Sequence, residues 1–308
     1  MAEIVRTVLG DIDPGRLGVT SAHEHVIQDH CPIWGDPDLT LTDEAEMTRE
    51  LGLGLQAGIQ SLGELSTVDT NHDLDALTRV AQRSGVHIIG STGWFFGQHL
   101  PPLVRAGDVG RLAAIMEHDV LVGTAMTGAR AGVIGEIGWS AKQALDPELR
   151  VFEAAAQVYQ RTGVPIYTHT TDGTLAPEEV DFLAARGVDP RRIAVSHMDT
   201  NGSLDYHLAV ATRGAYLSFD RIGNPADLTD DQRVDLILRL LEKGHGRQIL
   251  LGQDTARRRD LAGRGGRGYA ALVTSFLPRL RKAGVDDASI RTMTVENPRA
   301  YFAFSPPR

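Results

Sequence analysis

Eight short runs of apolar and β-branched residues punctuate the chain, at 17–25, 61–67, 87–94, 131–138, 165–170, 193–199, 215–220 and 249–254. Each is mostly apolar on both alternating faces. Strands of a parallel sheet covered on both sides carry that pattern. Helix-like stretches lie between the runs. Residues 42–58 open with Thr42 as the expected N-cap and acids in the first turn. Residues 146–163, 176–187 and 203–214 each end in a glycine suited to a left-handed helix terminus. Residues 229–244 start acidic, end basic and stop at Gly244, and 269–284 follow the last strand. Strand followed by helix, repeated eight times, predicts an α/β protein of the (β/α)8 TIM-barrel type. The rival, an open doubly wound sheet, expects a glycine-rich phosphate turn after the first strand. Here that strand ends in His-Glu-His. No Ser/Pro-rich linker or shift of composition divides the chain, so residues 1–308 are expected to form one domain.

Charge narrows the partners. Lys plus Arg is 31 and Asp plus Glu is 40, a net charge of −9. Nucleic acids and anionic membranes recruit basic surfaces, so neither is an expected partner. The single cysteine, Cys31, excludes an internal disulfide framework and fits a reducing compartment, with the cytoplasm as the expected location. The first ten residues contain Glu3 and no long apolar run, unlike a signal peptide, and no stretch is long and apolar enough to span a bilayer.

Barrel enzymes carry their chemistry at the C-terminal ends of strands. Six metal-ligating side chains fall there: His23 and His25 on the first run, Glu136 on the fourth, His169 on the fifth, His197 on the sixth and Asp254 on the eighth. Residues two apart on a strand share a face, so His23 and His25 point together into the mouth while Glu24 faces the helices. A single catalytic zinc takes about three protein ligands. Six suit two divalent cations joined by a bridging carboxylate, for which Glu136 is the candidate. The other seven histidines (30, 72, 87, 99, 118, 207 and 245) fall in loops, helices or strand starts and are not expected to ligate; of these only His99 is placed in a mouth loop. Cys31 has no partner base and is expected to pack.

The same residues carry a resemblance. His23-Glu24-His25, GVIGEIG at 132–138, THT at 168–170, SHMD at 196–199, GQD at 252–254, GGRGY at 265–269 and VENPRAYF at 295–302 resemble the phosphotriesterase family of the amidohydrolase superfamily, nearest its phosphotriesterase-homology branch. The resemblance implies a binuclear centre, usually of zinc, with Mn2+, Co2+ or Ni2+ as alternatives. It implies that His23, His25 and Asp254 hold the buried metal, that His169 and His197 hold the exposed one, and that the fourth-strand residue bridges them. It also implies a homodimer. Classical members bridge with a carboxylated lysine, but residues 131–140 contain none and Lys142 lies past the strand. Glu136 replaces it, as in the homology branch. The lactonase branch has a tyrosine after the equivalent of Thr92-Gly93, where this chain has Trp94 and Phe95. Arg221 matches an arginine that lines the lactonase mouth. The expected activity is hydrolysis of a small-molecule carboxyl ester, lactone or N-acyl amide by a metal-bridging hydroxide, with weak phosphotriesterase side activity. Asp254 is the expected proton acceptor. Trp94, Phe95 and Arg221 are the expected substrate contacts, with Trp34, Phe96 and the arginines of 255–269 nearby.

Overall fold

The computed structural model describes residues 3–306. Eight parallel strands form its centre: β1 (Thr20–Glu24), β2 (Ser61–Glu64), β3 (His87–Ile89 and Ser91–Thr92), β4 (Val133–Trp139), β5 (Ile166–Thr170), β6 (Ile193–Val195), β7 (Tyr216–Phe219) and β8 (Ile249–Leu251). Each pairs with the next in parallel register. The ring closes between β8 and β1, where the Asp254 N–H donates to the His23 carbonyl at 3.2 Å. The result is a (β/α)8 TIM barrel. Its closure depends on Gly252, because a Cβ there would come within 2.9 Å of the His23 carbonyl oxygen.

The helices follow in turn: α1 (Glu44–Ala57), α2 (Leu74–Ser84), α3 (Val109–Leu121), α4 (Asp146–Thr162), α5 (Ala176–Ala184), α6 (Leu204–Ala211), α7 (Asp230–Glu242) and α8 (Leu277–Lys282). A π-helical stretch, Leu272–Phe276, leads into α8. The N-cap of α1 is Asp43, not Thr42: its carboxylate accepts from Ala45 and Glu46 N–H groups at 2.9 and 3.0 Å. α5 and α6 stop three residues before Gly187 and Gly214 because their last turns tighten. Gly187 N–H bonds to Ala184 and Gly214 N–H to Ala211, i to i−3. α4 runs to Gly163 at φ +74° as its spacing predicts.

Inside the barrel, below the mouth, a cluster including Ile89, Val133, Tyr167, Ala194 and Leu250 packs against Tyr301 and Phe302 near the C-terminus. Tyr167 forms the floor of the site, its ring edge-on to His23 at 5.4 Å. Five short strands lie outside this pattern, and two of them, Gln28–Asp29 and Thr40–Leu41, pair with each other. Ile4–Thr7 pairs antiparallel with Gly10–Ile12 and with Ala303–Phe304, tying the two ends of the described chain together. Among the described residues, no helix is long and apolar enough to cross a membrane.

Candidate metal centre

The strand ends bring all six predicted ligands to one mouth. His23 and His25 are fully buried at the end of β1, two apart as the strand period requires. Glu24 between them faces the other way and accepts from the Gln253 and Thr255 N–H groups at 3.1 and 3.0 Å, which pins the segment after β8 against β1. Glu136 enters from β4. Gly135 before it takes φ +134°, and a Cβ there would collide with the Tyr167 carbonyl, so only glycine lets β4 approach β5 this closely. His197 and Asp254 both take left-handed φ, +55° and +48°. That conformation costs a non-glycine residue roughly 1–2 kcal/mol, and it turns both side chains in from the strand ends.

Glu136 is the hub. Its Oε2 lies 2.9 Å from His169 Nδ1, 3.4 Å from His197 Nε2 and 3.5 Å from His23 Nε2; its Oε1 is 3.6 Å from His25 Nε2. Two triplets able to hold a metal ion share it: His23, His25 and Glu136, and Glu136, His169 and His197. Asp254 joins the first, with Oδ1 3.1 Å from His25 Nε2. The residues fit divalent cations. His23 Nε2 is buried with no hydrogen-bond partner although it faces the carboxylates, and a buried lone pair of that kind calls for one. Lys142 is exposed and far from this role.

Charge is finely poised. Burial opposes a proton on His25, but hydrogen bonds and charge from Asp254 and Glu136 outweigh it and lift its pKa to about 9. Asp220 and Glu136 do the same to buried His197, to about 10. Burial would raise the Glu136 carboxyl, but His23 and His169 hold it well below the usual range. Bound cations would take the place of these protons, so metal binding and deprotonation are linked.

Behind the ligands sits a residue that the sequence reading did not single out. Asp220, fully buried after β7, accepts from His23 Nδ1 at 3.0 Å and from His197 Nδ1 at 2.8 Å. An ionised carboxylate only accepts, so both rings keep the proton on Nδ1 and aim Nε2 at Glu136. Asp220→Asn is expected to weaken metal affinity about 10–100-fold, read by chelator competition; unchanged affinity would remove Asp220 from this role.

Above the hub opens a cavity of about 430 Å³, walled by every expected ligand except His23 and by Trp34, Phe95, Phe96, His30, Arg221 and Arg257. Phe95 and Arg221 stand where the sequence places them. Arg221 donates to Asp254 Oδ2 at 2.9 Å. Trp94 does not: it is 1 % exposed and packs in the core behind the wall. Gly93, at φ +113°, ends the strand alternation and turns Trp94 inward, leaving Phe95 and Phe96 to face the cavity. Of the 255–269 arginines only Arg257 reaches it, paired with Asp36. Arg259 pairs with Asp38 and Arg264 with Glu46, while Arg267 donates to the Gln253 carbonyl. Contrary to the expectation for the histidines, His99, the one expected in a mouth loop, does not line this cavity, whereas His30 does. The Gln28–Asp29 and Thr40–Leu41 hairpin folds it over the site, and its N–H donates to Leu39 at 3.1 Å. Burial, then the neighbouring His25, lowers its pKa to about 4, so it is neutral.

Comparison with known proteins agrees along the whole chain. The E. coli (strain K12) phosphotriesterase homology protein is 32 % identical over 92 % of this chain and 98 % of its own. Its crystal structure, complexed with phosphate in the active site, superposes with a TM-score of 0.91 over 94 % of this chain and 100 % of that one. The N-acetyltaurine hydrolase of Salmo salar is 30 % identical over 97 % of this chain and 98 % of its own. A lactonase from Listeria monocytogenes superposes with a TM-score of 0.93 at 25 % identity, over 98 % of this chain and 99 % of that one. A family model described as the phosphotriesterase family matches residues 3–302, and the chain belongs to that family of hydrolases.

Proposed function

We propose that this protein is a binuclear, zinc-dependent hydrolase of small-molecule carboxyl esters, lactones or N-acyl amides, for which phosphotriesters are weak side substrates. One observation carries the reading: a single carboxylate, Glu136, is shared by two histidine-bearing triplets. Imidazole and carboxylate donors suit zinc, with Mn2+, Co2+ and Ni2+ as alternatives. His23, His25, Glu136 and Asp254 would hold one cation, and Glu136, His169 and His197 the other. When bound, such cations lower the pKa of water toward 7 and polarise the substrate's oxygen.

The chain's own groups supply the rest. Asp254 accepts the proton of the attacking water and hands it to the leaving group. Burial would raise its carboxyl, but His25, His197 and Arg221 outweigh it and hold it well below the usual range, so it is ionised. Arg221 fixes its orientation. Phe95, Phe96 and Trp34 offer an apolar wall for one arm of the substrate, and Arg257 and Arg221, paired with Asp36 and Asp254, are the cations that would meet an anionic end. A lactone and an N-acyl amide, the substrates for which two relatives are named, are both carbonyl compounds. The reading takes residues 1–308 as one domain, acting in the cytoplasm as a homodimer.

Side-by-side kinetics on one preparation test it. Carbonyl substrates are expected to exceed paraoxon in kcat/KM by at least about tenfold, which needs only about 1.4 kcal/mol of differential transition-state binding. Arg221→Ala should weaken the carbonyl reaction more than the triesterase. Paraoxon hydrolysed faster than every ester, lactone and N-acyl amide tested would overturn the proposal in favour of a true phosphotriesterase.

A further inference from the structure

Three of the four imidazoles at the centre are oriented by a hydrogen bond on the ring nitrogen turned away from Glu136. His23 and His197 share Asp220, and His25 Nδ1 meets Ser66 Oγ at 3.0 Å, with Glu64 behind it. His169 is different. Its Nδ1 faces Glu136 at 2.9 Å and His197 Nε2 at 3.0 Å, and among the described residues no hydrogen bond reaches its other nitrogen.

That nitrogen is on a side chain 12 % exposed at the cavity, and two phenyl rings pack against the imidazole. Phe96 stacks on the His169 ring, with centroids 4.7 Å apart and planes 18° apart. Phe95 meets it edge-on, at 4.7 Å and 70°. The two phenyls brace each other at 4.5 Å. Their backbone is anchored, not free. The Phe95 N–H donates to Asp69 Oδ1 at 2.9 Å, the Phe95 carbonyl accepts from Gly138 N–H at 3.2 Å, and the Gly97 N–H donates to Glu148 Oε1 at 2.8 Å. The stack is therefore held against β4, the strand that presents Glu136.

We infer that Phe96 is a positioning residue for His169, and that the stack makes the Glu136–His169–His197 site the weaker of the two. The inference rests on the binuclear reading above. A carboxylate partner fixes a ligand ring and raises its basicity as well. A stacked phenyl fixes the tilt of the ring but accepts no proton from it. His169 thus depends on ring packing where His23 and His197 depend on the Asp220 carboxylate.

Graded dialysis against a chelator, followed by zinc analysis per chain, tests this on the zinc-loaded protein, Phe96→Leu and Phe96→Tyr. The wild type should release its two cations in separate steps. Phe96→Leu keeps apolar bulk but loses the ring. It should bring the first step to about tenfold lower chelator, the lower end of what outer partners contribute, and leave the second in place. Phe96→Tyr keeps the stack and should match the wild type. Identical curves for wild type and Phe96→Leu overturn the inference, as does an equal shift of both steps. A wild type that never holds more than one cation per chain defeats the binuclear reading itself, and this inference with it.

Discussion

Glu136→Gln is expected to empty the centre of at least one cation and to weaken metal retention by more than about 100-fold. Outer partners of ligands already contribute 10–100-fold, and Glu136 touches the ligand set directly. The substitution keeps the shape and removes the charge. That charge lies within 3.6 Å of ring nitrogens on four histidines. In a site this buried, the mutual repulsion of two dications is poorly screened without it. The glutamine amide also presents N–H donors where cations would sit. Metal analysis after gel filtration reads the effect, and a variant that keeps both cations would contradict it. A companion result concerns bicarbonate. A lysine must react with CO2 before it can bridge, whereas Glu136 is a carboxylate already, and Lys142 is exposed past β4. Reconstitution of metal-free protein should therefore proceed equally with and without bicarbonate.

Asp254→Asn is expected to lower kcat by about 10²–10⁴-fold, the usual contribution of a general base and about 3–5 kcal/mol of barrier. Asparagine keeps a ligating oxygen, and His23, His25 and Glu136 remain, so cation content should be largely retained. The loss then reads on the proton path and not on metal occupancy. The Arg221 guanidinium would lose its ionised partner at 2.9 Å, which adds to the effect on orientation. An asparagine variant within a few-fold of wild type, with full metal, would remove Asp254 from the path.

Much of this was legible in the residues themselves, for physical reasons. A strand buried on both faces is mostly apolar, so the runs around β3 to β8 announce themselves locally, while β1 (Thr20–Glu24) is buried but polar because it carries the site. A histidine or carboxylate at the end of such a run has few structural uses, and all six expected ligands converge. Local signals existed for α2 as well: Leu74, Leu77, Val80 and Ala81 recur at helical spacing between the N-cap Asp73 and Gly85 at φ +77°. The helices expected from the sequence do not include this one. Other features have no local signature. Ile4–Thr7 finds Ala303–Phe304 at the opposite end of the chain. Asp220 ends a predicted strand, yet its role depends on His23 and His197, both remote in sequence. Which of Trp94, Phe95 and Phe96 faces the cavity is decided by Gly93, because period-two reasoning fails once the backbone leaves the strand.

The central claim is that Glu136 joins two cations in one site. Elemental analysis of protein purified in zinc-replete buffer, expressed per chain, tests it most directly. The account predicts a value approaching two. A value of one, with His169 and His197 free of metal, would contradict it.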